Sequence, residues 1–392
     1  MSSYMHQVKK LKLLRCLLQS CIGPYRGKGY HPPAIVFRQT SAMQRYLSTQ
    51  SLQPRVIFSG IQPTGVPHLG NYVGALQQWV QRQHEEPAST RLLYSIVDLH
   101  AITTPQKPDI LRKAKREALA SLLAIGIDPS KCTLFYQSDV SGHSELMWIL
   151  SCTASVGYLS RMTQWKSKLK LTQSSHLGDG RVGNKLKLGL FSYPVLQAAD
   201  ILVHRATHVP VGHDQQQHIE FARECVTNFN HAYGPHLVYP DIIISPVRRV
   251  MSLTEPSSKM SKSHPLERSR ILLTDNADTI HAKVSSALTD SLPGISYDAE
   301  SRPGIANLLD ILSIFDSEGR TATQLAADFI SPRELKAAVS EAVIKGMDGI
   351  GRRYKKLLED PEFLDHVAAE GGKKARQSAD ETMHLVREAI GI

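Results

Sequence analysis

Between Arg55 and Ser245 the chain alternates short apolar runs with amphipathic stretches, and this alternation limits the fold more than any other feature. Arg55–Ser59, Leu92–Val97, Cys132–Gln137 and Asp241–Ser245 read as short strands. Asn71–Gln83, Ile110–Ile125, Ser144–Ala154 and His218–Phe229 carry the spacing of helices. Strands separated by helices imply βαβ units and a parallel sheet. Ligands of such sheets sit beyond the carboxyl ends of the strands, at the point where strand order reverses. The loops after residues 59, 97 and 137 are therefore the first places to look for a site. Leu171–Gly189 is polar, Gly-rich and basic and reads as a loop. Beyond Arg268 the strand signals stop. Asp278–Ala287, Ile305–Phe315, Arg333–Gly346, Gly349–Glu359 and Glu362–Ile390 all read as helices, which predicts an all-α carboxyl-terminal part.

The formal charge of +10 suggests a nucleic-acid binder, but its placement argues otherwise. Residues 1–47 hold eight basic side chains and no acidic one, and without those eight the rest of the chain carries only +2. No Asp or Glu occurs before Glu85. An acid-free basic segment with an amphipathic Lys9–Leu18 stretch has the composition of a mitochondrial transit peptide. Arg45-Tyr-Leu-Ser48 resembles a matrix-protease cleavage site, so residues 1–47 are expected to direct the chain to the mitochondrial matrix. A basic RNA-binding arm is the alternative reading of the same segment. No run approaches the roughly 20 apolar residues needed to cross a bilayer, so no membrane association is expected. Cys16, Cys21, Cys132, Cys152 and Cys225 form no C-x-x-C pair, against a disulfide framework or structural zinc. A soluble protein of a reducing compartment is the expectation.

The first strand-to-helix turn runs Ser59-Gly-Ile-Gln-Pro-Thr-Gly-Val-Pro-His-Leu-Gly-Asn71. Gly60 and Gly65 have phosphate-loop spacing, but Val66-Pro67 stand where Lys and Ser/Thr are required. No G-x-G-x-x-G follows a strand either. What remains is His68-Leu-Gly70-Asn71 opening a helix, where an imidazole suits a triphosphate and Gly70 lets a flat base approach. Far downstream, Lys259-Met-Ser-Lys262-Ser263 places two ammonium groups and two hydroxyls on a loop, a phosphate clamp in miniature.

Together these segments resemble the two signatures of class I aminoacyl-tRNA synthetases, with Asn71 in place of the usual second histidine. Val97-Asp-Leu-His-Ala-Ile-Thr103, Arg161-Met-Thr-Gln-Trp-Lys166, Tyr193-Pro-Val-Leu-Gln-Ala-Ala-Asp200 and Val209-Pro-Val-Gly212 resemble the tryptophanyl-tRNA synthetase family, in its mitochondrial, bacterial-like branch. The resemblance runs from about Arg55 to Ile392. It implies an α/β fold: a Rossmann-like parallel-sheet catalytic domain over 55–268, with a tRNA-acceptor-side insert near 155–190, and an all-α anticodon-binding domain over 269–392. The implied reaction joins L-tryptophan to ATP as an adenylate, then passes the acyl group to tRNA(Trp), with Mg²⁺ carried on the triphosphate and no metal cage in the protein. A homodimer is implied too.

By resemblance, Gln62, Pro63, Thr64, His68, Gly70 and Asn71 line the ATP site, Gly212, His213 and Asp214 meet the ribose, and Val250 meets the adenine. Lys259, Met260, Ser261, Lys262 and Ser263 close on the leaving pyrophosphate, with Lys168 opposite; Lys259, Lys262, Lys168 and Gln62 are the expected catalytic set. Asp200 is expected to accept the indole N–H, in a pocket of Phe58, His100, Tyr193, Gln197, Val209 and Val211, with Gln215 on the ammonium. Two departures stand out: His213 replaces a usual Glu and His264 a usual Asp. Arg352-Arg-Tyr-Lys-Lys356 and Lys373-Lys-Ala-Arg376 are basic patches for the anticodon, although residues 330–392 carry eleven basic and eleven acidic side chains. The tyrosyl-type synthetase is the nearest enzymatic alternative, and a catalytically silent RNA-binding paralogue is the alternative from another class.

Overall fold

The structure, a computed structural model, describes residues 54–169, 186–212, 215–244, 249–262 and 264–392. The 1–47 segment, His213, Asp214, Ser263 and most of the Leu171–Gly189 loop lie outside those residues. Pro54–Ile392 folds as one compact unit.

Five parallel strands form its centre: β1 (Val56–Ile61), β2 (Arg91–Ile96), β3 (Thr133–Tyr136), β4 (His208–Val211) and β5 (Asp241–Ile244), in the order β3-β2-β1-β4-β5. The chain builds outward from β1 to β3, then crosses back to lay β4 on the other side of β1, so the reversal falls between β1 and β4. These two strands share a single register pair, Ile57 with His208. Thr207 clips the seam: its Oγ1 accepts from Val56 N at 2.9 Å.

Side chains alternate across a strand, and here both sets are apolar. Ile57, Leu92, Tyr94 and Leu134 enter one core, and Val56, Phe58, Leu93 and Phe135 the other. The first core is covered by α1 (Leu69–Asn71), a π-helical turn at Tyr72–Leu76, α2 (Gln77–Glu85) and α3 (Pro108–Ala124). Trp79 of α2 stacks on Tyr94 with centroids 4.4 Å apart. The second core is covered by α4 (Gly142–Ser151), α5 (Leu188–Leu202) and α6 (Gln216–Tyr233).

The carboxyl-terminal part is helical as the sequence predicts: α7 (Ala277–Ser285), α8 (Pro303–Phe315), α9 (Pro332–Gly346), α10 (Ile350–Leu358) and α11 (Pro361–Ile390). It extends the first core, which runs unbroken through Ile305, Leu309, Val339 and Tyr354. The last helix does more. Leu364, Val367 and Ala368 of α11 pack in the first core, whereas Ala375, Ala379 and Met383 pack in the second. The helix thus passes over β3, the edge strand, and joins both faces. Gly371 sits at the crossing, where an added Cβ would lie 1.7 Å from the Leu134 carbonyl oxygen. Covering an edge in this way removes a template for unwanted pairing.

Candidate active site

At the carboxyl end of β1 the chain turns through Gly65, whose φ of +81° favours glycine, and enters α1. His68 caps that helix. Its Nδ1 accepts from Asn71 N at 3.3 Å, and Asn71 Oδ1 accepts from His68 N at 3.1 Å, a reciprocal capping box. An accepting Nδ1 leaves the ring proton on Nε2. Burial, then the charges of Lys262, Lys259 and Arg270, push the His68 pKa down to about 4, so the ring is neutral at physiological pH. Gly70 has a local reason to lack a side chain, because a Cβ there would come within 3.1 Å of the His68 ring.

The lysine-rich loop comes to the same place. Met251 and Lys259 form an antiparallel bridge, and Met260 N donates to Val250 O at 3.1 Å. Buried Met260 and Val250 anchor the loop in the core. Asn307 of α8 holds it from outside the sheet, accepting from Met251 N at 2.8 Å and donating to Met251 O at 3.1 Å. With its root fixed, Lys262 reaches the first turn: Nζ donates to Thr64 Oγ1 at 3.0 Å and to the Gly65 carbonyl at 2.8 Å. Two segments nearly 200 residues apart therefore meet through one ammonium group. Burial pushes the Lys262 pKa down to about 8, with Glu117 opposing and Arg270 assisting. Lys259 is exposed. His264 serves its own turn, its Nδ1 accepting from Leu266 N at 3.1 Å, with Nε2 3.8 Å from Glu255.

Beside this meeting point, a cavity of about 440 Å³ opens where β1 and β4 diverge. Every residue expected around the amino acid lines it: Phe58, His100, Tyr193, Gln197, Asp200, Val209, Val211 and Gln215. Gln62, Gly212 and Lys168 line it as well, as do Ser59, Gly60, Val97, Gln164 and Ile201, none of which was expected to line the amino-acid site. Lys168 holds its ammonium 4.6 Å above the Tyr193 ring, and desolvation there lowers its pKa. The Tyr193 hydroxyl lies 2.9 Å from Gln164 Oε1 and 3.1 Å from His218 Nε2; His218 Nδ1 lies 3.0 Å from Gln215 Oε1. Pro63, Thr64, His68, Gly70, Asn71, Val250 and the 259–262 segment lie outside the cavity lining, on the adjoining turn and loop.

Asp200 is 1% exposed. His100 Nε2 donates to its Oδ2 at 2.9 Å, while His143 Nδ1 and Gln137 Nε2 each donate to Oδ1 at 2.7 Å. Burial alone would raise the carboxyl pKa; the hydrogen bonds from His100 and His143 outweigh it and hold the group well below the usual carboxylate range. A carboxylate offers about four lone-pair directions and three are filled. His100 lines the cavity, whereas Gln137 and His143 are buried behind it. Gln137 and His143 were not foreseen, although Gln137 opens the turn at the carboxyl end of β3 and His143 stands at the start of α4 just beyond it, next to a loop that the strand reading marks as a place to search.

The basic patches are partly engaged inward. Arg353 donates to the Ala124 carbonyl at 2.7 Å and Arg376 to the Asp139 carbonyl at 2.9 Å, while Tyr354 is buried. Lys355, Lys356, Lys373 and Lys374 face outward.

Residues 50–347 match the family model of class I tRNA synthetases for W and Y. The chain is 45% identical to the mitochondrial tryptophan–tRNA ligase of Schizosaccharomyces pombe, covering 86% of this chain and 95% of that one. It is 41% identical to the mitochondrial tryptophan–tRNA ligase of Saccharomyces cerevisiae, covering 91% and 97%. Among solved structures it is similar to tryptophanyl-tRNA synthetase of Campylobacter jejuni complexed with ADP and tryptophan, with a TM-score of 0.70 and 33% identity over 86% of this chain and 100% of that one.

Proposed function

The chain belongs to the class I tRNA synthetases of the tryptophan and tyrosine type, and from that premise we propose how its residues divide the work of a tryptophan–tRNA ligase. The enzyme joins tryptophan to ATP as tryptophanyl-adenylate and transfers the tryptophanyl group to tRNA. Like its yeast relatives it is a mitochondrial form.

The observation that carries the residue-level reading is a buried carboxylate, Asp200, held ionised at an apolar cavity. Its free acceptor direction takes the indole N–H. Phenylalanine would leave that acceptor unpaired in a desolvated site, a far larger penalty than a poor apolar fit. Phe58, Val209 and Val211 close on the ring, and Gln215 meets the ammonium. With the amino acid so placed, its carboxylate oxygen attacks the α-phosphorus of ATP. The bond to pyrophosphate breaks, and no proton has to be removed. A ribose hydroxyl at the tRNA 3′ end then attacks the carbonyl carbon, the bond to the adenylate phosphate breaks, and AMP leaves with its phosphate oxygen taking the hydroxyl proton.

Neither step requires a protein nucleophile, so the residues act by position and charge. Lys262 and Lys259 meet the β- and γ-phosphates, with Ser261 and Ser263 beside them and Lys168 opposite. The neutral His68 donates through Nε2–H rather than as a cation. Gln62, Thr64, Gly70 and Asn71 border the nucleotide, Gly212, His213 and Asp214 its ribose, and Val250 its adenine. The groups at the phosphate end are ammonium and hydroxyl, which suits a triphosphate that carries its own Mg²⁺. The helical part over 269–392 meets the anticodon, with Lys355, Lys356, Lys373 and Lys374 available to phosphates. A homodimer is supported by Trp148, 71% exposed on α4, and Val156 nearby, 63% exposed. Trp148→Glu should halve the sedimenting mass; an unchanged mass would remove this face as the interface.

Amino-acid-dependent ATP–pyrophosphate exchange on the chain beginning at Ser48 tests the reading. Exchange with tryptophan and not with tyrosine or phenylalanine is the expected outcome. Equal exchange with phenylalanine would refute the role given to Asp200.

A further inference from the structure

Behind Asp200, away from the cavity, runs a line of buried polar groups that no substrate reaches. His143 Nδ1 donates to Asp200 Oδ1, His143 Nε2 lies 3.3 Å from His204 Nε2, and His204 Nδ1 lies 3.2 Å from Ser378 Oγ on α11. All four residues are almost fully buried. Their positions are tightly set. The His204 ring stacks on Phe58 at 5.9 Å between centroids and meets Phe135 edge-on at 5.5 Å. A Cβ on Gly142, at the start of α4, would already be 3.3 Å from Ala379 and Met383 of α11.

The order of protons along this line has two solutions. Two facing Nε2 atoms need one proton between them. If His204 supplies it, His204 Nδ1 is bare and must accept from the Ser378 hydroxyl, and His143 is neutral. If His143 supplies it, His143 carries protons on both nitrogens and is a cation against Asp200, and His204 turns its Nδ1–H toward Ser378. Only the first solution makes His143 Nε2 an acceptor, so that the ring is pinned from both sides with its one proton on Nδ1, facing Asp200.

We propose that His204 and Ser378 are positioning residues for the amino-acid site: Ser378 donates to His204 Nδ1 and His204 Nε2–H donates to His143 Nε2, which fixes the His143 proton on Nδ1 and holds the Asp200 carboxylate aimed at the indole N–H. The proposal rests on the reading of Asp200 given above. It means that a residue past the middle of the last helix, in the part expected to meet the anticodon, helps set the discrimination of a pocket built from β1, β4 and α5.

The test compares tryptophan with its benzothiophene analogue, which keeps the ring shape and lacks the N–H, as the ratio of kcat/KM in ATP–pyrophosphate exchange. Ser378→Ala frees His204 to change tautomer, and should lower that ratio about 3- to 10-fold, the scale of one hydrogen bond. KM for ATP should not move. Ser378→Thr, which returns the hydroxyl, should restore the ratio. A merely structural loss would lower both amino acids alike. His204→Phe is the second variant, fills the same stacked position, and should lower the ratio at least as far. If folded Ser378→Ala and His204→Phe both keep the parent ratio while Asp200→Asn loses it, the inference is overturned and the reading of Asp200 stands. A parent ratio in Asp200→Asn itself would overturn both.

Discussion

Lys259 and Lys262 are three residues apart in one loop, yet their surroundings assign them different tasks. Lys262 is tied to Thr64 and Gly65, and burial has brought its pKa down to about 8; Lys259 is exposed. A triphosphate arriving at the turn would exchange neutral oxygens around Lys262 for charged ones, so that lysine gains most on binding. Lys262→Ala should therefore lower kcat for adenylate formation by about 10²- to 10³-fold, the usual loss when one preorganised donor to developing charge is removed. Lys259→Ala should act mainly on KM for ATP. Steady-state exchange kinetics on the two variants check this, and equal effects on kcat would contradict it. The pocket residues, Asp200 foremost, were legible in the sequence through family resemblance. His143, His204 and Ser378 were not, because the groups behind a buried carboxylate are chosen by packing: His143 lies 57 residues and Ser378 178 residues from Asp200 along the chain, and His204, four residues on, falls outside every motif.

Element by element, β1, β2, β3, β5 and the helices after Arg268 follow the apolar spacing to within two residues. The short helices Asp98–Ala101, Val156–Arg161, Gln164–Lys168 and Ala322–Leu325 were not read, and the two larger misses, β4 and α5, each contain a proline. β4 was seen only as part of a motif; a central proline is unusual in a strand, but β4 pairs with β1 only at His208, so Pro210 costs no ladder bond to β1. Pro194 lies inside α5, which the sequence showed only as a motif. The capping box of α1 was equally hidden: Asn71 was noticed as a replaced histidine, while its role as the partner of His68 N depends on a helix of three residues. Glycines at close approaches are another kind of silent signal. Gly371→Ala would drive a methyl group against the Leu134 backbone at the point where α11 crosses β3. Overpacking against backbone costs about 1–3 kcal/mol and sometimes more. Urea unfolding of that variant should show a loss at the upper end of the range, and a loss below about 0.5 kcal/mol would mean that α11 slides freely on the edge strand.

For the molecule as a whole, buried histidines make acid the weak side of its stability. The folded pKa of His68 is about 4 against an unfolded value of 6.5, so between those values the unfolded chain binds a proton that the folded chain refuses. Stability should thus fall as pH drops from 6.5 to 4, by on the order of 3 kcal/mol from His68, and level off below that. His204, held well below its ordinary value by burial, acts in the same direction. Urea melts at pH 7, 6 and 5 should show the fall, and His68→Asn, which keeps a capping acceptor but cannot titrate, should flatten it. The matrix address expected of residues 1–47 is a separate matter: fused to a fluorescent protein, that segment should carry it into mitochondria, and a cytosolic signal would refute the assignment. The path of α11 across both faces of the sheet also has a consequence for synthesis. Ribosomes add about 5–20 residues per second, and amino-terminal parts ordinarily fold first. Here β1 emerges early, but the wall behind its pocket includes Ser378, Ala379 and Met383 of a 392-residue chain. A chain that has not yet delivered α11 lacks that wall, so the amino-acid site is completed only when the carboxyl end arrives.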